Sequence, residues 1–154
     1  RDADVIFLAS GSIHGSVLVN FLPRGMIEAL RESKAKMLAV TNLVSTRNET
    51  HEFTPGDFVT LIEKYTKRRP DGLIVPEITR KEFESKNPRA KTLYASEHAH
   101  FLGWEHEELH RFEQEEGIQI FPHQATTVVS KGADRIVRHE PEKLSHTLTK
   151  IIQR

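Results

Sequence analysis

Asp4-Val-Ile-Phe-Leu-Ala-Ser-Gly-Ser-Ile-His-Gly-Ser16 decides how the chain is read. Val5 to Leu8 form an apolar run bulky enough for a strand buried on both faces, the pattern of a parallel sheet. The run feeds directly into Ser10, Gly11, Ser12, Gly15 and Ser16. Small residues let a backbone come close to a ligand, and converging N–H groups with serine hydroxyls suit an anion such as phosphate. The same residues also serve a plain chain reversal, and that reading stays beside the first.

Outward from this stretch, strands and helices alternate, which favours a layered α/β fold. A helix is expected from about Arg24 to Ser33, with Met26, Ile27 and Leu30 on one stripe. Lys36 to Val40 give a second strand. Thr54-Pro55-Gly56-Asp57 then opens a helix: Thr54 caps, Pro55 suits the first helical position, and Asp57 stands where a capping-box acid belongs. Gly72 to Pro76 read as a third buried strand. A short helix from Thr79 to Lys86 is stopped by Asn87-Pro88, and a charged helix from Glu105 to Glu116 is ended by Gly117. Ile118 to Phe121 continue as a strand, Thr126 to Val129 and Arg135 to Val137 are β candidates, and Pro141 starts a last helix with Leu144, Leu148, Ile151 and Ile152 on one side. The expected fold is a mostly parallel, Rossmann-like sheet with helices on both faces.

If the first two strands share a sheet, the loops after Leu8 and Val40 open on the same carboxyl edge. The second loop offers Asn42, Thr46, Asn48, Glu49, Thr50 and Thr54, groups suited to a sugar, a ribose or a base edge. A polar surface loop has the same composition.

Asp4 to Ser16, Leu22-Pro-Arg-Gly-Met-Ile-Glu-Ala-Leu-Arg-Glu-Ser33, Thr41-Asn-Leu-Val-Ser-Thr-Arg-Asn-Glu-Thr-His-Glu-Phe-Thr54 with Asp57, and the closing Arg138-His-Glu-Pro-Glu-Lys-Leu144 stand in the order seen in one known family. Together they resemble the family of YvcK gluconeogenesis factors and CofD phospholactate transferases. The resemblance implies a CofD-like fold in which Ser10, Gly11, Ser12, Ser16, Asn42, Glu49 and Thr50 line a ligand cleft. It also implies a single α/β domain over residues 1–154 that is the C-terminal part of a longer CofD-like protein. Three positions depart from the family wording: Ala9-Ser10-Gly11-Ser12 replaces Gly-Pro-Gly-Ser, Asn48 replaces a glycine, and Phe58 replaces a frequent histidine.

Two function classes follow from the resemblance. A YvcK-type protein binds a UDP-sugar and regulates carbon metabolism and cell-wall precursor supply without catalysis. A CofD-type transferase moves a phospholactyl group from a guanosine diphosphate donor to a deazaflavin precursor with magnesium. Gly11-Ser12-Ile13, Asn42-Leu43 and Glu49-Thr50 are closer to the first, and a fragment or divergent member without ligand is a third reading.

Composition sets limits. Lys and Arg number 22 and Asp and Glu number 22 in 154 residues, so no global field favours nucleic acid or an anionic membrane. The chain has no cysteine, which removes thiolate catalysis and cysteine-based zinc. A cytoplasmic setting is expected, and a homo-oligomer stays open. His106-Glu-Glu-Leu-His110 fits the H-E-x-x-H zinc pattern. The surrounding Glu105, Glu107, Glu108, Arg111 and Glu113 read as a solvated face, so both imidazoles are expected to face solvent and no metal is assigned to them. His14 is expected at the loop surface. Asp4, Glu49 and Asp57 are the carboxylates available to a cation bridging phosphates, although the position of Asp57 alone favours a helix cap.

Overall fold

In the computed structural model, which describes residues 2–153, four strands form one parallel sheet in the order β1-β2-β3-β4. They are β1 (Val5–Leu8), β2 (Lys36–Val40), β3 (Gly72–Pro76) and β4 (Gln119–His123). Ile6 pairs with Met37, Ala39 with Leu73, and Leu73 with Ile120, all parallel. Each connection is a crossover. Right-handed crossovers that always step in the same direction place their helices on the same face. Accordingly α1 (Met26–Glu32), α2 (Pro55–Thr66) and α5 (His106–Glu116) bury Leu30, Phe58, Val59, Ile62 and Leu109 against Met37, Ala39, Leu73 and Val75. The alternate strand residues Leu38, Val40 and Ile74 face the other way and are covered by Leu144, Leu148 and Ile151 of α6 (Pro141–Ile152). Helices thus cover both faces. Ile152, expected on the same stripe, is the last residue of α6 and is exposed.

Local signals explain most boundaries. Thr54 and Asp57 form the reciprocal capping box of α2 with Pro55 in the first turn, and Gly117 closes α5 in the left-handed region. The first helix starts at Met26 rather than Arg24, since Gly25 takes φ 81° and breaks the helical path. One helix beyond those expected from the sequence, α4 (Pro88–Ser96), follows α3 (Arg80–Lys86) directly: Asn87 ends one and precedes the other, and Pro88 suits a first turn as well as it stops a helix. The two late β candidates are longer than expected and pair as an antiparallel hairpin, β5 (Thr126–Lys131) with β6 (Asp134–His139). Their side chain Val137 packs with Phe83, Ala90, Tyr94 and Phe101 in a second small core beyond the carboxyl edge of the sheet. The Tyr94 hydroxyl accepts the Val137 N–H at 2.7 Å and so fixes hairpin to α4.

The amino edge is held by two residues after α2. Asp71 accepts the Met37 N–H through Oδ2 at 2.7 Å, donates its own N–H to the Met37 carbonyl at 2.7 Å, and accepts the Gln119 N–H at 3.1 Å. Arg68 donates to the carbonyls of Leu30 and Ser33, each at 3.1 Å, and to that of Ala35, while contacting Asp71 Oδ2 at 3.3 Å. The end of α1 and the starts of β2, β3 and β4 are therefore bound into one network. Replacing Arg68 by Ala is expected to lower unfolding free energy by about 2–3 kcal/mol, because charge-assisted bonds to partly buried carbonyls are lost. Arg68→Lys should recover little of it, since one ammonium cannot match the guanidinium fork. Urea unfolding measures both.

At the other edge His123 is buried and packs 5.2 Å from His139, ring centre to ring centre. Burial, with the neighbouring His139, lowers its pKa to about 4, and burial lowers that of His139 too. A histidine with a depressed folded pKa leaves stability intact above the unfolded value near 6.5 and loses it as pH falls toward the folded value. Wild type should therefore lose about 2 kcal/mol more than His123→Gln between pH 7 and pH 5. Equal losses in parallel urea titrations would refute this assignment.

Candidate functional site

The loop after β1 does not stay open as a bare cradle. Ser12 starts a helical turn at Ile13–Val17: its Oγ accepts the Gly15 N–H at 3.1 Å and its carbonyl accepts Ser16 N–H at 2.8 Å. Ile13 is buried in the main core and anchors the turn. A Cβ on Gly11 would lie 3.1 Å from Ser16 Cβ, so glycine here answers a close approach within the loop itself.

The loop after β2 is closed by its own side chains. Thr50 is fully buried, its Oγ1 accepts the Thr46 N–H at 3.0 Å, and its N–H reaches the Thr46 carbonyl at 3.1 Å. Thr50 thus shapes the loop from inside. Asn42 and Glu49 reach across to the first loop. The Asn42 side-chain amide donates to the Gly11 carbonyl at 2.8 Å, and Ser12 Oγ donates to Glu49 Oε1 at 2.9 Å. The two loops meet at the carboxyl edge. Ser16 is exposed on the first loop, and exposed His14 lies 3.9 Å from Glu49.

Ser10, Gly11 and Asn42 line a cavity of about 300 Å³ together with Leu43, Val137, Arg138 and His139. The last two come from the end of β6. Ser10 Oγ lies 3.2 Å from His139 Nδ1, and burial keeps that imidazole neutral at pH 7. Arg138 is exposed and brings a cation to a rim otherwise made of neutral donors. Neither residue follows from periodicity. Their one signal is that they open the closing block Arg138 to Leu144. Two larger cavities, about 730 and 600 Å³, open at the β3–β4 end and share Glu77, His123 and Gln124. His123 Nδ1 accepts the Ala125 N–H at 3.0 Å, so the neutral ring carries its proton on Nε2.

The carboxylates Asp4, Glu49 and Asp57 are not gathered. Asp4 precedes β1 at the amino edge, Glu49 stands at the carboxyl edge, and Asp57 accepts the Thr54 N–H at 2.8 Å within its capping box. They do not fit a shared magnesium ion. On α5 both His106 and His110 are exposed, and His106 Nε2 lies 3.0 Å from the Glu77 carbonyl, which raises its pKa. Among the described residues, the group that brings three metal-ligating side chains together is His51, Glu52 and His100. Burial, reinforced by nearby Arg80, lowers the His100 pKa.

Comparison with known proteins agrees with this architecture. The family model described as 2-phospho-L-lactate transferase CofD matches residues 1–125. A putative gluconeogenesis factor of Thermotoga maritima is 29% identical over 149 residues, covering 97% of this chain and 44% of that protein. One from Aquifex aeolicus is 26% identical over 153 residues, covering 99% and 43%. A crystal structure of a protein from Bacillus halodurans superposes with TM-score 0.75 at 25% identity, covering 97% of this chain and 44% of its own. The chain spans less than half the length of these relatives. With a parallel sheet, two loops joined at its carboxyl edge and a family model that covers most of its residues, the chain belongs to the CofD family.

Proposed function

We propose that the carboxyl-edge cleft binds a nucleotide sugar, of the UDP-sugar kind, and that the protein acts as a YvcK-type regulator of carbon metabolism and cell-wall precursor supply. The observation behind this reading is the cavity where Ser10, Gly11 and Asn42 from the β1 and β2 loops meet Arg138 and His139 from the hairpin. Ligands of open parallel sheets sit at this edge. The diphosphate belongs on the Arg138 side, where a guanidinium supplies charge-assisted bonds. Sugar hydroxyls belong on the side of Glu49, whose carboxylate already accepts a hydroxyl from Ser12 and would repel a phosphate. Ser12, Ser16 and Asn42 then serve as neighbouring polar contacts, with Thr50 holding the loop behind them. Relatives named as gluconeogenesis factors support the regulatory role. A cytoplasmic setting accords with such ligands, and no helix among the described residues is long and apolar enough to cross a membrane.

A second reading has one specific observation in its favour. The matching family model is described as a phospholactate transferase, so transfer of a phospholactyl group from a guanosine diphosphate donor to a deazaflavin precursor is its alternative activity.

Calorimetry with UDP-sugars and guanosine diphosphate tests both. Arg138→Gln is expected to weaken UDP-sugar binding by about 1.5–3 kcal/mol, the range for a bond to a charged group. Asn42→Ala should weaken it by about 1–3 kcal/mol, partly by releasing the Gly11 carbonyl. Unchanged affinity in both variants would remove the cleft from binding, and turnover with a deazaflavin acceptor would establish the transferase reading.

A further inference from the structure

The geometry points to a divalent transition-metal site formed by His51, Glu52 and His100 at the base of the β2 loop, with zinc as the ion its donor set best suits. Glu52 Oε1 lies 3.7 Å from His51 Nε2 and 3.8 Å from His100 Nδ1, and one donor atom from each residue falls within 4.8 Å of the others. Bonds of about 2.1 Å in a tetrahedral zinc site place donor atoms about 3.4 Å apart. Small side-chain rotations close that gap. Two imidazoles and a carboxylate match zinc and its neighbours in the first transition row, whereas magnesium prefers oxygen donors throughout.

The surroundings are built for ligation more than for chance proximity. His100 is buried and held by the backbone: its carbonyl accepts the Ser45 N–H at 2.8 Å, its N–H donates to Ser45 Oγ at 2.9 Å, and Phe101 bridges to Val44. Ser45 Oγ also lies 3.1 Å from His100 Nδ1. On metal binding that hydroxyl turns its proton elsewhere and keeps the bond from the His100 N–H. Glu52 divides its oxygens, Oε1 toward the two imidazoles and Oε2 3.7 Å from Arg80 Nη1. Arg80 is itself shared with Glu84, 3.0 Å away, so it orients the carboxylate as an outer partner. His51 packs edge-to-face on His100 at 5.4 Å and is exposed, leaving a route for the ion.

Three protein ligands leave a fourth position for water or another oxygen donor. An ion here clamps the segment after Thr50 to the segment around His100, and Glu49 lies three residues before Glu52. Metal would therefore stiffen the β2 loop that carries Glu49, a consequence independent of which ligand the cleft accepts.

Calorimetric titration of the metal-free protein with zinc chloride, and cobalt(II) absorption spectra, test the site. Expected are saturable binding of one zinc per chain, raised thermal stability, tetrahedral cobalt bands, and no comparable response to magnesium. His51→Ala and Glu52→Gln should each weaken zinc binding at least tenfold while leaving the circular dichroism spectrum unchanged. His106→Ala and His110→Ala should leave it as in wild type. Absence of saturable zinc binding, or loss of binding in the His106 or His110 variants with retention in the His51 and Glu52 variants, overturns the inference.

Discussion

Asp71 and Arg68 impose the constraint on which the rest of the molecule depends. A parallel sheet has no hairpin to set its register, so neighbouring strands must be aligned by contacts made after long crossovers. Here the alignment is made at the amino edge, where the Asp71 carboxylate and backbone take up hydrogen bonds from Met37 and Gln119 and Arg68 ties in the end of α1. Strands that start level and are of similar length also end near one another. β1 joins the aligned strands through its own ladder with β2, Val5 opposite Lys36 and Leu8 opposite Ala39, so the loops after β1 and β2 emerge side by side, close enough for Asn42 to reach Gly11 and for Ser12 to reach Glu49.

Those cross-loop bonds change what the small and polar residues mean. Gly11 is small because Ser16 stands against it, Thr50 is buried to brace its own turn, and Ser12 both caps a turn and meets a carboxylate. A cleft is shaped by residues that satisfy one another first, so its walls are pre-organised. The positive charge comes from elsewhere, from Arg138 at the end of a hairpin that packs on α4. The walls of the site therefore derive from three distant segments of the chain.

The sheet order also limits what this chain supplies. With β1 and β4 at the edges and every crossover stepping the same way, the strand order never reverses among the described residues. Doubly wound folds place ligands where the order reverses. Here the crevice is made instead by loops β1 and β2 and the appended hairpin.

Much of this was legible in the sequence. Val5 to Leu8, Met37 to Val40 and Leu73 to Val75 are short apolar runs, the pattern of strands with cover on both sides. Thr54-Pro55-Gly56-Asp57 names a helix start because the capping box is a local hydrogen-bond pattern completed within four residues. Parallel strands sharing one sheet put the loops after Leu8 and Val40 at one edge, and the loops do meet there. Tertiary structure decided the rest, for reasons that are non-local. Asn87-Pro88 is consistent with both a stop and a new start, and only packing of Ala90 and Tyr94 chooses α4. His139 faces Ser10 across 129 positions, and His100 meets Ser45 across 55. Periodicity and capping report on neighbours along the chain. Which distant side chains share a cavity or a metal depends on how the crossovers close, and that is settled only when the core is packed.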